Sequence, residues 1–433
     1  MKGALIAYIF VFTSSAIVHG QPITYFNDIQ GIFRQNCISC HRQNGTAPFA
    51  LENSEQIIAH KGIIRSVIER GIMPPWRPDP DYTHFLDERI LSVSDKQKII
   101  GWIQQGCKPG VPGTNNIVIK SEDKTNTPAD LVLKLPFDVK IPASTTDTIV
   151  LVEMPYEIDR DTFISSFQFM PVHNSGIHHV FISLMSLDDA LYLPEPQEEG
   201  QGEFWDGKAF HMRSFSSEHP SIRGGWVPGQ AAIAMPGNVG WQLPKKGMLQ
   251  YQIHYGPSPV SFTSDFELWL TYSKGKVERI AIGQKYGSNT SHALPYPPLV
   301  IPPDSIMRFT LNGTIDFDCS IIAISPHMHL LGKSVKAWLL KPSGDTIRLI
   351  SIKDWDFNQQ EYYYTDSLIK GEKGDKLQVE VVMDNTSNNI HNPNKPPKFV
   401  SYGPNTRNEM IQFSIYSVPY KKGDEMFRAK RDN

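Results

Sequence analysis

Three groups of residues in this sequence have the type and spacing to do chemistry. The first is Cys37-Ile38-Ser39-Cys40-His41. Thiols three positions apart can add across the vinyl groups of a haem, and the histidine beside the second thiol is then delivered to the iron as an axial ligand. A thioredoxin-like redox pair would follow a strand and open a helix. Here Phe26, Ile29, Ile32 and Phe33 share one helical face leading into the motif, and Gln43 to Pro48 loops after it. A zinc site would need more Cys or His at regular spacing nearby. The motif therefore reads as the attachment site of a covalent haem c. The second axial ligand is expected to be Met73 in Gly71-Ile72-Met73-Pro74-Pro75-Trp76, where the prolines end a helix over 57–70 and hold the thioether on a rigid backbone. His60 and His84 are the rival donors.

The other two groups are histidines. His178 and His179 are adjacent, and His254 stands in Ile253-His254-Tyr255; further on comes His327-Met328-His329. Residues i and i+2 of a strand face one side, so His327 and His329 can hold one metal together. Adjacent histidines point to opposite faces. For His178 and His179 to share a metal, the strand must end or bulge, or the rings must use different nitrogens. Taken alone, each grouping is equally compatible with histidines that are simply satisfied in a core or on a surface.

The elements that position these residues can be read from the texture of the chain. Apolar spacing around Ile57–Arg70 and from Ser94 to Gln105 gives a small helical domain over 21–110, and this span resembles a class I c-type cytochrome. Pro, Gly, Asn and charged residues make 111–127 a linker. Beyond it, short alternating or apolar runs recur between turn residues: 131–135, 147–154, 178–184, 249–254, 267–272, 320–325, 334–341, 376–383 and 410–418. Strands at this spacing without long helices predict β-sandwiches. Some 300 residues exceed a single sandwich of ~100–150 residues, so two are expected, at 128–285 and 286–433, divided at the Pro-rich 286–303 stretch. The fold class is multidomain: a small all-α cytochrome c domain followed by two all-β, jelly-roll-like sandwiches.

The histidine groupings, in their order and context, resemble the copper type II, ascorbate-dependent monooxygenases, the family of peptidylglycine- and dopamine-hydroxylating enzymes. The resemblance covers about residues 130–420. It implies one copper on His178, His179 and His254, and a second on His327, His329 and Met410, the methionine of Asn408-Glu409-Met410. It further implies that the two coppers face each other across an open cleft, unbridged. Gly225-Trp226-Val227-Pro228-Gly229 before His254 and Ile301-Pro302-Pro303 before the H-x-H agree with it. The donor types fit independently, since imidazole suits both copper oxidation states and thioether favours Cu(I). Two departures matter. Ser325 stands two positions before the H-x-H where the peptide-hydroxylating members have Arg, and Ser414 stands four after the copper Met where they have Tyr. An α-amidating activity on peptides is therefore not expected. Nor are the family's disulfides present: of four cysteines only Cys107 and Cys319 are spare, either free or linking the helical domain to the second sandwich.

Composition bounds the rest. The 433 residues carry a net charge of −3, which excludes the electrostatic footprint of a nucleic-acid binder. The opening residues Met1–Gly20, with Lys2, an apolar run from Gly3 to Phe12 and small residues after it, read as a signal peptide. No later stretch is apolar enough to span a membrane. The expected protein is exported, periplasmic or extracellular, and carries haem c and two copper ions. It is expected to hydroxylate an organic C–H bond with O2, drawing electrons from ascorbate or a redox protein. The other reading is a non-catalytic electron-transfer or copper-binding haem protein. Among the remaining histidines, His173 and His391 lie close in sequence to the metal motifs and are candidates to support the ligands, and His211, His219 and His292 are expected to lie in polar surface loops.

Overall fold

The computed structural model describes residues 22–43, 47–86, 88–112, 129–135, 138–145, 147–172, 176–186, 222–230, 232–235, 237–288, 293–403 and 406–427. The expected signal segment, most of the linker, the 187–218 insert, His173, His211, His219 and His292 lie outside them. No helix among the described residues is long and apolar enough to cross a membrane.

The helical module begins with a π-helical turn (Tyr25–Ile29) that runs into α1 (Gln30–Asn36), and Cys37 caps α1. The helix expected over 57–70 is broken at His60 into α2 (Ser54–Ala59) and α3 (Lys61–Glu69). The Asn53 side chain accepts from the Gln56 N–H and starts α2; Ser92 accepts from the Asp95 N–H and starts α4 (Val93–Gln104). Ile29, Phe33, Ile57, Ile64, Ile68, Ile99 and Trp102 close a small core.

Two β-modules follow. The first holds β1 (Leu131–Lys134), β2 (Val139–Ile141), β3 (Thr148–Glu157), β4 (Thr162–Pro171), β5 (Ile177–Ser186), β6 (Ile222–Trp226), β7 (Ile233–Ala234), β8 (Val239–Leu243), β9 (Lys246–Tyr255), β10 (Phe262–Ser264), β11 (Phe266–Tyr272) and β12 (Arg279–Ile280). Its sheets run β1-β11-β4-β8-β12, with β7 on β4, and β3-β9-β5-β6, with β2 and β10 as a separate ribbon. The second module holds β13 (Ile282–Gly287), β14 (Val300–Ile301), β15 (Ile306–Thr314), β16 (Cys319–His327), β17 (Gly332–Leu340), β18 (Thr346–Ile352), β19 (Tyr363–Gly371), β20 (Lys376–Asp384), β21 (Val400–Ser401) and β22 (Gln412–Pro419). Its sheets are β13-β22-β16-β19 and β15-β20-β17-β18, with β14 and β21 paired. Alternation does the work: in β20, Leu377, Val379, Val381 and Met383 point inward and their neighbours outward. Because β12 pairs with β8 and β13 with β22, the chain changes module at Ala281, a few residues before the Pro-rich stretch where the sequence suggests the join.

The modules are in contact. Ile322, Leu368 and Val418 of the second join the core of the first. Residues 74–89 leave the helical module and run along the second β-module. Pro78 bridges Ile352 and Phe85 bridges Thr365, while the N–H groups of Asp79 and Leu86 donate to Ser351 and Tyr364 carbonyls, both at 2.8 Å. Phe85 is buried in the second module's core, with Trp76 packed against it. Cys107 and Cys319 are free thiols buried in different cores, so the disulfide considered between them does not form.

Candidate metal centres

In the first β-module, Val180, Ile182, Ile253 and Tyr255 face the core, which leaves His179 and His254 on the opposite face of the same sheet. They are direct cross-strand partners. The register shifts between Ile177 and His179, so His178 sits at a bulge, the irregularity that adjacent ligands require. Both His179 and His254 are buried, and their Nδ1 atoms lie 3.3 Å apart. The other nitrogen of His254, Nε2, lies 3.4 Å from Asp147 Oδ2. Ligand atoms of Asp147, His178 and His254 all fall within 4.8 Å of one another. Gly256 makes room for this cluster: a Cβ there would come 2.3 Å from His178 Nε2.

In the second module, His327 ends β16 and His329 follows two residues later, with ring centroids 5.1 Å apart. His327 Nδ1 donates to Gln360 Oε1 at 2.5 Å, and the Gln360 amide nitrogen donates to the Phe357 carbonyl, which fixes the orientation of that amide. His329 Nδ1 donates to the Asn408 carbonyl at 3.0 Å. Each imidazole thus spends Nδ1–H on an oxygen and keeps the Nε2 lone pair, the arrangement a metal-bound histidine needs. Glu409 is fully buried and accepts from the N–H groups of His329, Leu331 and Met410. It clamps the loop carrying His329 to the segment carrying Met410. Burial pushes its carboxyl up to about 8, against the pull of those three donors. Met410 itself is half-buried and stands two residues before Gln412, the cross-strand partner of His327.

The two histidine groupings meet. Phe357 packs edge-on between His179 (5.5 Å between centroids) and His329 (5.7 Å), and lies 4.9 Å from His254. Phe181 likewise joins His179 (5.2 Å) to His327 (5.6 Å). The open cleft implied by the resemblance is therefore absent among the described residues, because two phenylalanine rings fill the space between the groupings. The segment Asp354 to Glu361 is the hub. Its Asn358 bonds His178, its Gln360 bonds His327, and Arg77 of the helical module pairs with its Asp354 and Asp356 at 3.1 and 2.7 Å. Glu361 forms a buried ion pair with Arg89, whose guanidinium also lies 5.0 Å over the Trp76 ring. None of Asp147, Phe357, Gln360 and Glu361 carries a sequence signal of its own. Each is ordinary in its local pattern and becomes part of a site only by packing.

In the helical module, His41 Nδ1 donates to the Phe49 carbonyl at 3.0 Å, again leaving Nε2 available. His60 stacks on Phe49 (4.0 Å). Cys37 is half-buried, and desolvation pushes its thiol up to about 12. Cys40 Sγ lies against Gly229 of the first β-module; a Cβ there would come 2.2 Å from the sulfur. Met73 is 37% exposed. Of its rivals, His84 is exposed and paired with Glu88. His391, a candidate to support a metal ligand, is exposed.

Burial lowers the pKa of His41 and His178 and lowers those of His179 and His327 strongly, with neighbouring histidines adding to the effect. Neutral imidazole is the metal-binding form. The same shifts set a pH dependence. Below about pH 6.5 the unfolded chain takes up protons that the folded imidazoles refuse, so stability present above that pH is lost as pH falls. Glu409, whose carboxyl is raised to about 8, acts in the opposite sense over the same range, so the decline is to be read in metal-free Glu409→Gln protein, by urea unfolding from pH 8 to 5; a flat profile there would contradict it.

Residues 299–424, the stretch from β14 through β22, match the copper type II ascorbate-dependent monooxygenase C-terminal domain. The match spans most of the second β-module, and the matched family is by its description one of copper enzymes. No curated protein matches the chain. Among solved structures, PNGF-II in a P21 crystal form is 10% identical with a TM-score of 0.24, covering 66% of this chain and 65% of that one. The C2 form of PNGF-II gives 10%, 0.26, 80% and 73%. The major capsid protein P2 of Bacteriophage PM2 gives 8%, 0.23, 66% and 98%. At these TM-scores the likenesses carry no argument.

Proposed function

We propose that the chain is an exported copper monooxygenase that hydroxylates an organic C–H bond, with His327, His329 and Met410 as the catalytic centre and haem c as its built-in electron carrier. The observation that carries the reading is the second β-module, where a stretch matching the monooxygenase C-terminal domain holds a buried histidine, His329, and a half-buried one, His327, each with Nδ1 tied to oxygen and Nε2 left to a metal. Overall, R–H, O2, two electrons and two protons give R–OH and water. Copper bound at the two centres would supply one-electron storage and the site of O2 chemistry, the thioether favouring the reduced ion. The chain's own part is orientation: Gln360 and the Asn408 carbonyl aim the imidazoles, Glu409 holds the loop, and the two phenylalanines keep the space between the centres apolar.

The helical module's residues fit a covalent haem. The thiols of Cys37 and Cys40 follow a helix, and the adjacent His41 is locked in the tautomer that offers Nε2. Met73 would complete the axial pair. Such a haem would supply single electrons, from ascorbate or a redox protein outside. Support for that supply line comes from contact: Cys40 lies against Gly229, and the 74–89 strap reaches the hub that bonds His327. The substrate is a small organic molecule other than a peptide C-terminus. The register pairs Ser325 directly with Ser414, so two hydroxyls stand together where a carboxylate clamp would be.

Metal analysis of the purified protein should find two coppers and one haem iron per chain. Met410→Ala should keep its copper but lose hydroxylation by more than the ~10–100-fold that an outer partner costs. If Met410→Ala leaves activity or haem reoxidation by O2 untouched, the non-catalytic electron-transfer reading takes its place.

A further inference from the structure

We propose that Asp147 is the positioning residue of the first β-module's centre: its carboxylate takes the Nε2–H of His254, fixes that ring on the metal and strengthens it as a donor to Cu(II). The proposal rests on the copper reading above and keeps His178, His179 and His254 as the ligands. His254 can give only one ring nitrogen to an ion that it shares with His179. The two Nδ1 atoms face each other across the strands at 3.3 Å. Nitrogens held about 2.0–2.1 Å from one tetrahedral ion are ~3.3–3.4 Å apart, so this pair is already spaced to share a metal. Nδ1 is therefore the nitrogen that His254 gives to the ion, and Nε2 is the one that keeps the proton.

That proton needs an acceptor. His254 Nε2 is buried and makes no hydrogen bond among the described residues, and Asp147 Oδ2 lies 3.4 Å from it. An N–H donated to a carboxylate closes to ~2.7–2.9 Å, a shift that a small turn of the ring supplies once the metal holds Nδ1. The backbone is laid out for this contact. Ile149 lies opposite His254, so Asp147, two residues earlier, falls on the same face. Gly256, two residues past His254, keeps the neighbouring space clear, since a Cβ there would come 2.3 Å from His178 Nε2. At the second centre the imidazoles of His327 and His329 donate instead to neutral oxygens, the Gln360 amide and the Asn408 carbonyl. A charged acceptor makes a ligating imidazole more basic than a neutral one does. Asp147 thus biases the first centre toward Cu(II), while the Met410 thioether biases the second toward Cu(I). The one electron given up at the first centre then passes downhill to the second, and the carboxylate sets that direction.

The test uses full-length His327→Ala protein, whose second centre is broken, stripped of metal and reloaded with Cu(II) alone, so that a single copper is read. Adding Asp147→Asn, nearly isosteric and uncharged, should keep this copper but weaken it by about 10–100-fold. A ten-fold loss confined to Cu(II) appears as a rise of ~59 mV in midpoint potential. Asp147→Glu should recover part of that rise, and pulsed EPR should show the same three imidazoles in every variant. A merely structural role would move the urea midpoint and leave the potential alone. Parent affinity and potential in Asp147→Asn would overturn the proposal. Complete loss of copper from Asp147→Asn would overturn it as well, by making the carboxylate itself a ligand. Failure of both the unmutated and the His327→Ala protein to take up copper would overturn the copper reading before Asp147 is touched, which tells the two failures apart.

Discussion

Replacing Arg89 with Met should cost the protein about 3–5 kcal/mol, because it leaves Glu361 buried and unpaired. The Glu361 side chain is only 5% exposed and that of Arg89 17%, so neither charge has water to fall back on. Arg89 is also tied locally: its Nε donates to the Pro75 carbonyl at 3.1 Å, and its guanidinium covers Trp76. Loss of one side chain therefore frees the strap from the hub. Urea unfolding should show the lower midpoint, and limited proteolysis should show faster cleavage within 74–89. The consequence for function follows from position, since Glu361 adjoins Gln360 and Gln360 aims His327. Haem reoxidation should slow in Arg89→Met even where copper is fully loaded. A double variant, Arg89→Met with Glu361→Leu, should recover much of the stability by removing the orphaned charge, as apolar replacements of buried pairs commonly do. If the single variant is as stable as the parent, the pair is not the fastening that its burial indicates.

The second large effect is expected at Glu409. Glu409→Ala strips the acceptor from three backbone N–H groups at once, those of His329, Leu331 and Met410. A buried donor left without a partner costs about 1–3 kcal/mol, so a loss of about 3 kcal/mol or more is expected. Against a typical domain stability of ~5–15 kcal/mol this is a large fraction. Copper at His327, His329 and Met410 should be lost first, since Glu409 is what joins the loop bearing His329 to the segment bearing Met410. Glu409→Gln keeps one oxygen acceptor but turns an amide donor toward N–H groups, and should fall between the parent and Glu409→Ala. Denaturant titration of metal-free protein separates the folding loss from the metal loss. Equal stability of Glu409→Ala and the parent would show that water replaces the carboxylate, contrary to its complete burial.

How much of this was legible beforehand varies with the range of the interaction. The helix leading into Cys37 was visible because its apolar spacing is local, and β20 because its alternation is nearly perfect over nine residues. Strand β4, which the sequence reading did not pick out, carries weaker contrast between its faces. The break at His60 was missed because apolar spacing continues across it from Ile57 to Ile64. The strap over 74–89 was invisible because a Pro-rich stretch gives no periodicity, and it becomes ordered only through carbonyls and N–H groups of another module.

The same division holds at the candidate centres. By itself the sequence determined the donor types: C-x-x-C-H, a histidine pair, a lone histidine on an alternating strand, H-x-H, and Glu-Met at a fixed distance downstream. These are short-range patterns, and strand parity or helix spacing is enough to say which of their members can act together. Tertiary structure alone decided what each donor faces. It placed Asp147 beside His254, turned His179 toward Phe357, put Gln360 on His327, and closed with two phenylalanine rings a space that the resemblance left open. The physical reason is that a ligand's partners lie within a few ångströms in space but far along the chain: 75 and 107 residues for the contacts of His254 with His179 and Asp147, and 272 for the pairing of Arg89 with Glu361. No local pattern records such a neighbour; only the packing of one sheet face against the next module does.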